Sequence, residues 1–250
     1  MFTKTQAMAL SAMLLSSTFL GVSLLSVTPA SAQQTAPEDL PADPVPEAEA
    51  LPLVTDIQQY DNGGIYEGQF RNGVQHGQGT YRLPNGYEYS GEWVDGEIRG
   101  QGRATFPDGS IYQGAFVAGR PEGQGSITFA DGSTYEGDWA EGRIHGSGTA
   151  VYSNGISYTG EFANALHHGQ GVMTGPGGYR YEGQWEEGQK QGQGLITYPD
   201  GATYEGGFVA GQRAGRGRLV MPDGVTYEGD WADGQITGTG TLTQPNGDVY

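Results

Sequence analysis

A tyrosine stands at Tyr66, Tyr89, Tyr112, Tyr135, Tyr158, Tyr181, Tyr204, Tyr227 and Tyr250, a step of 23 residues each time with no insertion or deletion. Nothing else in the chain constrains its fold as strongly, because a fixed period of this size marks a stack of identical supersecondary units. Counting each tyrosine as the first place, a glycine follows at the third and Phe or Trp at the fifth. A Gly-x-Gly pair follows, such as Gly77 and Gly79 or Gly146 and Gly148. Near the end comes a turn, as in Pro107-Asp108-Gly109. A catalytic centre is one arrangement of unlike residues, so a phrase used eight times reads as construction material.

The period predicts a hairpin. In the copy that opens at Tyr135, Tyr135, Gly137 and Trp139 alternate with Glu136 and Asp138, the pattern of a strand with one apolar and one polar face. The sixth to tenth places, residues 140–144, contain Gly142 and suit a turn, and Gly146, Gly148, Ala150 and Tyr152 then alternate with His145, Ser147, Thr149 and Val151 as a second strand. The glycine pair is expected to share the aromatic face and to leave room for a ring to lie flat across the strand. A lone hairpin is marginal in water, so stability must come from stacking. The expected fold is all-β: about 17 short antiparallel strands in one elongated sheet, roughly 80 Å long.

These residues resemble a known family. "YEGQFRNGVQHGQGT", residues 66–80, is similar to the MORN repeat (membrane occupation and recognition nexus), and the resemblance runs in eight consecutive copies from Tyr66. Departures are few: Ala165 replaces a turn glycine, Gly175 and Gln244 replace an aromatic or aliphatic residue, and the histidine at the eleventh place stands only at His76, His145 and His168. The resemblance implies an elongated single-layer antiparallel sheet with a groove, and a role in scaffolding, protein binding and often self-association. With the pattern of its N-terminus, the chain is expected to be an exported bacterial member.

The export reading comes from the N-terminus. Lys4 precedes a mostly apolar, uncharged stretch, Pro29 breaks it, and Ala30-Ser31-Ala32 fits a cleavage site. Residues 1–32 therefore read as a signal peptide that directs the chain to the periplasm or outside the cell. Residues 33–56 carry five prolines, six carboxylates and no Lys or Arg, the composition of an extended, disordered acidic linker. The repeat domain is expected over 57–250: a half repeat in which "YDNGGI" matches "FPDGSI", eight full repeats, and the start of a ninth. The chain stops at that start, so more repeats or a catalytic domain beyond Tyr250 remain an expectation.

Charge and composition narrow the partners. There are 29 carboxylates against 12 Lys and Arg, a net charge of −17, which repels nucleic acid and disfavours direct binding to anionic membranes. The absence of cysteine removes disulfides and thiolate chemistry. His76, His145 and His168 are spread along the array, and neighbouring His167 and His168 face opposite ways on a strand, so no metal site is expected. The Asp-Gly turns, such as Asp108-Gly109 and Asp200-Gly201, offer one carboxylate each, too few for calcium. "GQKQGQG" lacks the Gly-Lys-Ser/Thr ending of a phosphate loop. The glutamates at the second place, Glu67, Glu136, Glu182, Glu205 and Glu228, read as a solvated stripe rather than as acid–base groups. No cofactor and no enzymatic activity are expected.

A second period of 46 residues lies inside the first. The fifth place alternates Phe70, Trp93, Phe116, Trp139, Phe162, Trp185, Phe208, Trp231. The seventh place is acidic only in the Trp copies, at Asp95, Glu141, Glu187 and Asp233. Duplication of a two-hairpin module explains this; so does an aromatic and acidic patch that recurs every second hairpin. The candidate partner-binding groove is therefore Tyr89, Trp93, Asp95, Tyr135, Trp139, Glu141, Tyr181, Trp185, Glu187, Tyr227, Trp231 and Asp233. The expected partner is a protein, or a second copy in a homo-oligomer. Alternatives are a cell-wall glycan stacked on the Tyr/Trp stripe, and a membrane-associated or targeting module of a longer protein.

Overall fold

The computed structural model describes residues 52–250, so the expected signal peptide and most of the acidic linker lie outside the described residues. The described residues form one 17-stranded sheet, from β1 (Val54–Gln59) to β17 (Gln235–Thr243). Each strand pairs antiparallel with its sequence neighbours, a plain meander without crossovers. The linker boundary shifts by three residues. Val54, Thr55 and Asp56 pair with Phe70, Gln69 and Gly68 of β2 (Ile65–Arg71), although every side chain of β1 is exposed. The free hydrogen-bonding edge of β2 decides this, not side-chain burial, and so composition gave no sign of it.

Each hairpin has the same anatomy. In the first, β2 and β3 (Val74–Arg82) meet at Asn72-Gly73, whose φ values of 54° and 74° are both positive, the signature of a two-residue type I′ turn. Every hairpin repeats this, and even Ala165 holds φ 64° where the others have glycine. The amide at this eighth place donates to a carbonyl of the preceding hairpin, as Gly96 does to Gln75 and Ala165 to Ile144. The turn is thereby tied to its neighbour at each junction, which holds a residue ill suited to the left-handed region. The longer connections use Asx turns: Asn85 accepts from the Tyr87 amide and Asp108 from the Ser110 amide. Asn and Asp interchange there because only an acceptor is required.

The glycine pair has two roles rather than one. The second member lies under the tyrosine ring: a Cβ on Gly79 would overlap Tyr66, and the same holds for Gly148 under Tyr135. The first member, Gly77 or Gly146, lies in a bulge and has positive φ; there three residues of the second strand stand opposite one of the first. In six hairpins the side chain at the fourth place caps this bulge by accepting a backbone amide, as Gln69 does from Gln78 and Asp138 from Ser147.

The core is a ladder of rings. Each tyrosine of the first place packs edge-on against the Phe or Trp of its own hairpin and, from Tyr66 to Tyr204, of the next, with centroids 4.9–5.7 Å apart and planes 77–88° apart. All eight tyrosine hydroxyls donate to the carbonyl three residues on, at 2.8–3.4 Å. That bond lets a polar hydroxyl sit in the core. Burial pushes the Tyr112 hydroxyl up to about 12, so this phenol stays neutral across physiological pH.

Candidate functional site

The expected groove separates into two parts. Its eight rings, Tyr89, Trp93, Tyr135, Trp139, Tyr181, Trp185, Tyr227 and Trp231, are all buried, between 0% and 8% exposed. They are the ladder itself, so their faces meet other rings and not solvent. The physical reason is that a single sheet has no second layer, and its largest side chains must cover one another. The Phe/Trp alternation has a structural correlate: each indole N–H donates to the glycine carbonyl beneath the preceding tyrosine, Trp93 to Gly79 and Trp139 to Gly125, at 3.2 and 3.1 Å. Phe makes no such bond.

The other part, Asp95, Glu141, Glu187 and Asp233, occupies the first position of the type I′ turns, with φ between 47° and 51°. Because all these turns lie at the same end of the hairpins, the four carboxylates form a comb along one long side of the sheet. They recur every fourth strand, roughly 19 Å apart. Asp95 is paired with Arg71 at 2.9 Å, which with His76 nearby holds its carboxyl below the usual range. The second-place glutamates Glu67, Glu136, Glu182, Glu205 and Glu228 are exposed on the opposite face from the rings. Among the described residues no group of three or more His, Asp or Glu converges as a metal site, and no helix is long and apolar enough to cross a membrane.

One row escaped the sequence reading. The tenth place, read as part of the turn, pairs with the ring of the fifth place and faces the ladder: Gln75 with Phe70, Ile98 with Trp93, Ile144 with Trp139. Along the array this row reads Gln75, Ile98, Pro121, Ile144, His167, Lys190, Arg213, Ile236. Isoleucine at three of eight equivalent places was the available signal. The row changes character halfway. His167 stacks on Tyr158 at 3.8 Å and shares a 2.6 Å hydrogen bond with Tyr152, and burial pulls its imidazole down to about 4. Lys190 sits over the rings of Tyr179 and Tyr181, at 5.3 and 5.2 Å, and burial lowers its ammonium to about 8. The Arg213 guanidinium lies 4.1 Å from the Trp231 ring centroid and donates to the Gly234 carbonyl at 2.8 Å. Tyr179 takes part because Gly175 leaves its place empty: after the short 3₁₀ turn Pro176–Gly178, the Tyr179 ring packs beside Gly175.

The architecture defines a class, an open β-repeat array whose units are single hairpins joined through a ring ladder. The MORN repeat family model matches eight times, at residues 66–86, 89–111, 112–134, 135–157, 158–178, 181–203, 204–226 and 227–249. The chain belongs to the MORN repeat family. It is a repeat scaffold, and no curated protein matches it. Among solved structures, it is similar to the TCP10 domain of Danio rerio CPAP, at 15% identity over 78% of this chain and 97% of that one, with a TM-score of 0.43. The TCP domain of Drosophila melanogaster SAS-4, solved in complex with a proline-rich motif of Ana2, is 15% identical over 60% of this chain and 82% of that one, with a TM-score of 0.39. Similarities at these scores carry no functional weight.

Proposed function

We propose that the chain is a non-enzymatic, exported scaffold that binds protein partners along the surfaces its repeats leave open. One observation supports this most directly. Every hairpin buries its rings in the shared ladder, and among what recurs at the surface the comb of Asp95, Glu141, Glu187 and Asp233 lines one long side of the sheet. A comb with this spacing suits an elongated partner that carries basic side chains. Charge attraction sets the encounter rate, while desolvated contacts hold the complex. The glycan reading is weaker, because the rings that would stack on sugars are buried.

The test is photo-crosslinking in the native cell from Glu141 and Glu187, followed by kinetics with the captured protein. Asn or Gln at the four comb positions should slow association several-fold and change release little. Absence of any specific protein adduct, or an unchanged association rate, sinks the scaffold reading in this form. Export is tested separately, by N-terminal sequencing of the native protein. A start at Gln33 supports it, and a start at Met1 in a cytoplasmic pool refutes it.

A further inference from the structure

The tenth-place row changes chemistry between hairpins four and seven, and the change creates a pocket. Tyr179, Tyr198, Phe208, Lys190 and Arg213 line a shallow depression on the ring face, with Asp233 at its rim. In a chain of net charge −17, two adjacent hairpins here carry cations inward over aromatic rings. Lys190 lies on β13 (Gln189–Thr197) and Arg213 on β15 (Gln212–Val220), two strand spacings or roughly 10 Å apart. Neither forms an ion pair among the described residues, and of the cations without one, which include Arg103, Arg120, Arg143, Arg216 and Arg218, these two are the ones that lie over aromatic rings. Arg213 is held in place by Trp231 and Gly234, so little side-chain freedom remains to be lost on binding.

We propose that this pocket binds carboxylates of an extended acidic peptide, and that its occupant is segment 33–51 of a second copy of the chain. This rests on the protein-binding reading above and names one partner for it. The segment, "QQTAPEDLPADPVPEAEAL", has five carboxylates, four prolines and no Lys or Arg. Proline-rich chains bind aromatic-lined surfaces with little ordering penalty, because their extended form is already populated. The carboxylates supply the counter-charge that Lys190 and Arg213 lack. A chain cannot readily serve its own pocket. From β1 to β13 is twelve strand spacings, roughly 58 Å; Glu38, the acid farthest from Val54, reaches that only at full stretch, roughly 58 Å, and Asp39, Asp43, Glu47 and Glu49 all fall short. The contact is therefore made between copies.

The groups facing Lys190 are Tyr181 on the strand before it, Tyr179 just ahead of that strand, Tyr198 just after its own strand, Arg213 from the next hairpin and Asp233 at the rim. His167, one hairpin earlier, is neutral above its lowered pKa of about 4. A bound carboxylate favours the charged lysine, so affinity should fall as pH rises through the free-protein value near 8.

The experiment titrates labelled 33–51 peptide into the full chain at low salt and follows anisotropy. Three results are expected: binding at pH 7, at least tenfold weaker binding of a peptide with all five acids amidated, and at least tenfold loss in Lys190→Gln/Arg213→Gln. Gln75 already occupies the equivalent place in the first hairpin, so this variant should fold, and circular dichroism checks it. Lys190→Arg should bind as tightly as the parent at pH 7 but lose the weakening between pH 7 and 9, which a merely structural lysine would not produce. Sedimentation of the full chain should show concentration-dependent self-association that the double variant loses. Equal binding of the amidated peptide, full binding by the double variant, or vesicles of anionic lipid that occupy the pocket while the peptide does not, each overturn the proposal. If the double variant loses the peptide yet still captures the crosslinked partner, the scaffold reading stands independently. If no partner is captured while the peptide binds, the pocket stands and the broader reading fails.

Discussion

Hairpins two to four and hairpins five to seven are built on the same ring ladder, with the same turns and the same bulges. They differ in what covers the ladder. Ile98, Pro121 and Ile144 cover the first group; His167, Lys190 and Arg213 cover the second. Ile144 is 2% exposed and needs no partner, whereas His167 stays in place by losing its charge and Lys190 by partial loss of its own. The lesson is that a repeat array can hold its architecture constant and vary one covering place, because stability is shared through neighbours and one costly side chain is carried by the rest.

The comparison can be broken at several levels. The largest effect should come from the shared ladder. Trp139→Ala and Trp185→Ala should each cost about 3–5 kcal/mol in chemical denaturation, with loss of hydrogen-exchange protection centred on the altered hairpin. A much smaller loss at Trp185 would mean that the ladder is not equivalent in the two groups. Next, Ile144→Lys transfers the chemistry of the second group into the first, at a place that is 2% exposed, and should cost about 3 kcal/mol.

The His167 effect is pH-dependent. Its folded value of about 4 lies below the unfolded value of 6.5, so the unfolded chain takes up the proton first. The stabilisation is therefore complete above pH 6.5 and is lost as pH falls toward 4, by up to about 3 kcal/mol. His167→Ile should remove that slope, and urea midpoints at pH 7, 5.5 and 4.5 would detect it. Lys190→Ile should stabilise the chain at pH 7 by about 1–2 kcal/mol, since a partly screened but desolvated ammonium disappears. No gain would mean that the lysine is well solvated. The smallest effect concerns the turns that both groups share. Ala118 and Ala210 hold φ 47°, so Asn at either should raise stability by about 0.5–1 kcal/mol, equally on both sides of the divide.

Much of this was legible in the chain because the period supplies many readings of one pattern. Alternation around Tyr135, Gly137 and Trp139 specified a strand, and Pro107-Asp108-Gly109 and its equivalents specified a turn. The tenth place was misread because a bulge intervenes. Simple alternation counts residues two by two, but Gly77 and its equivalents take a left-handed conformation that puts three residues opposite one. Gln75, Ile144 and Lys190 then face the ladder from positions that look like turn. The candidate groove was half legible for a related reason. Tyr and Trp at fixed spacing announce a ring stripe, but whether rings face a partner or one another depends on neighbouring hairpins, as the 4.9 Å approach of Tyr112 and Trp139 across two hairpins shows.

The sequence by itself determined the hairpin, its 23-residue period, the stacking that a lone hairpin requires, and the family. These follow from local chemistry: alternation, turn residues and glycine beneath rings. Tertiary structure alone decided that the ring stripe is core, that the acidic seventh places line one side, and that His167, Lys190 and Arg213 share a face with aromatic rings. Those are relations between hairpins. They depend on where a bulge aims a side chain and on which ring covers which, and no single repeat contains that information.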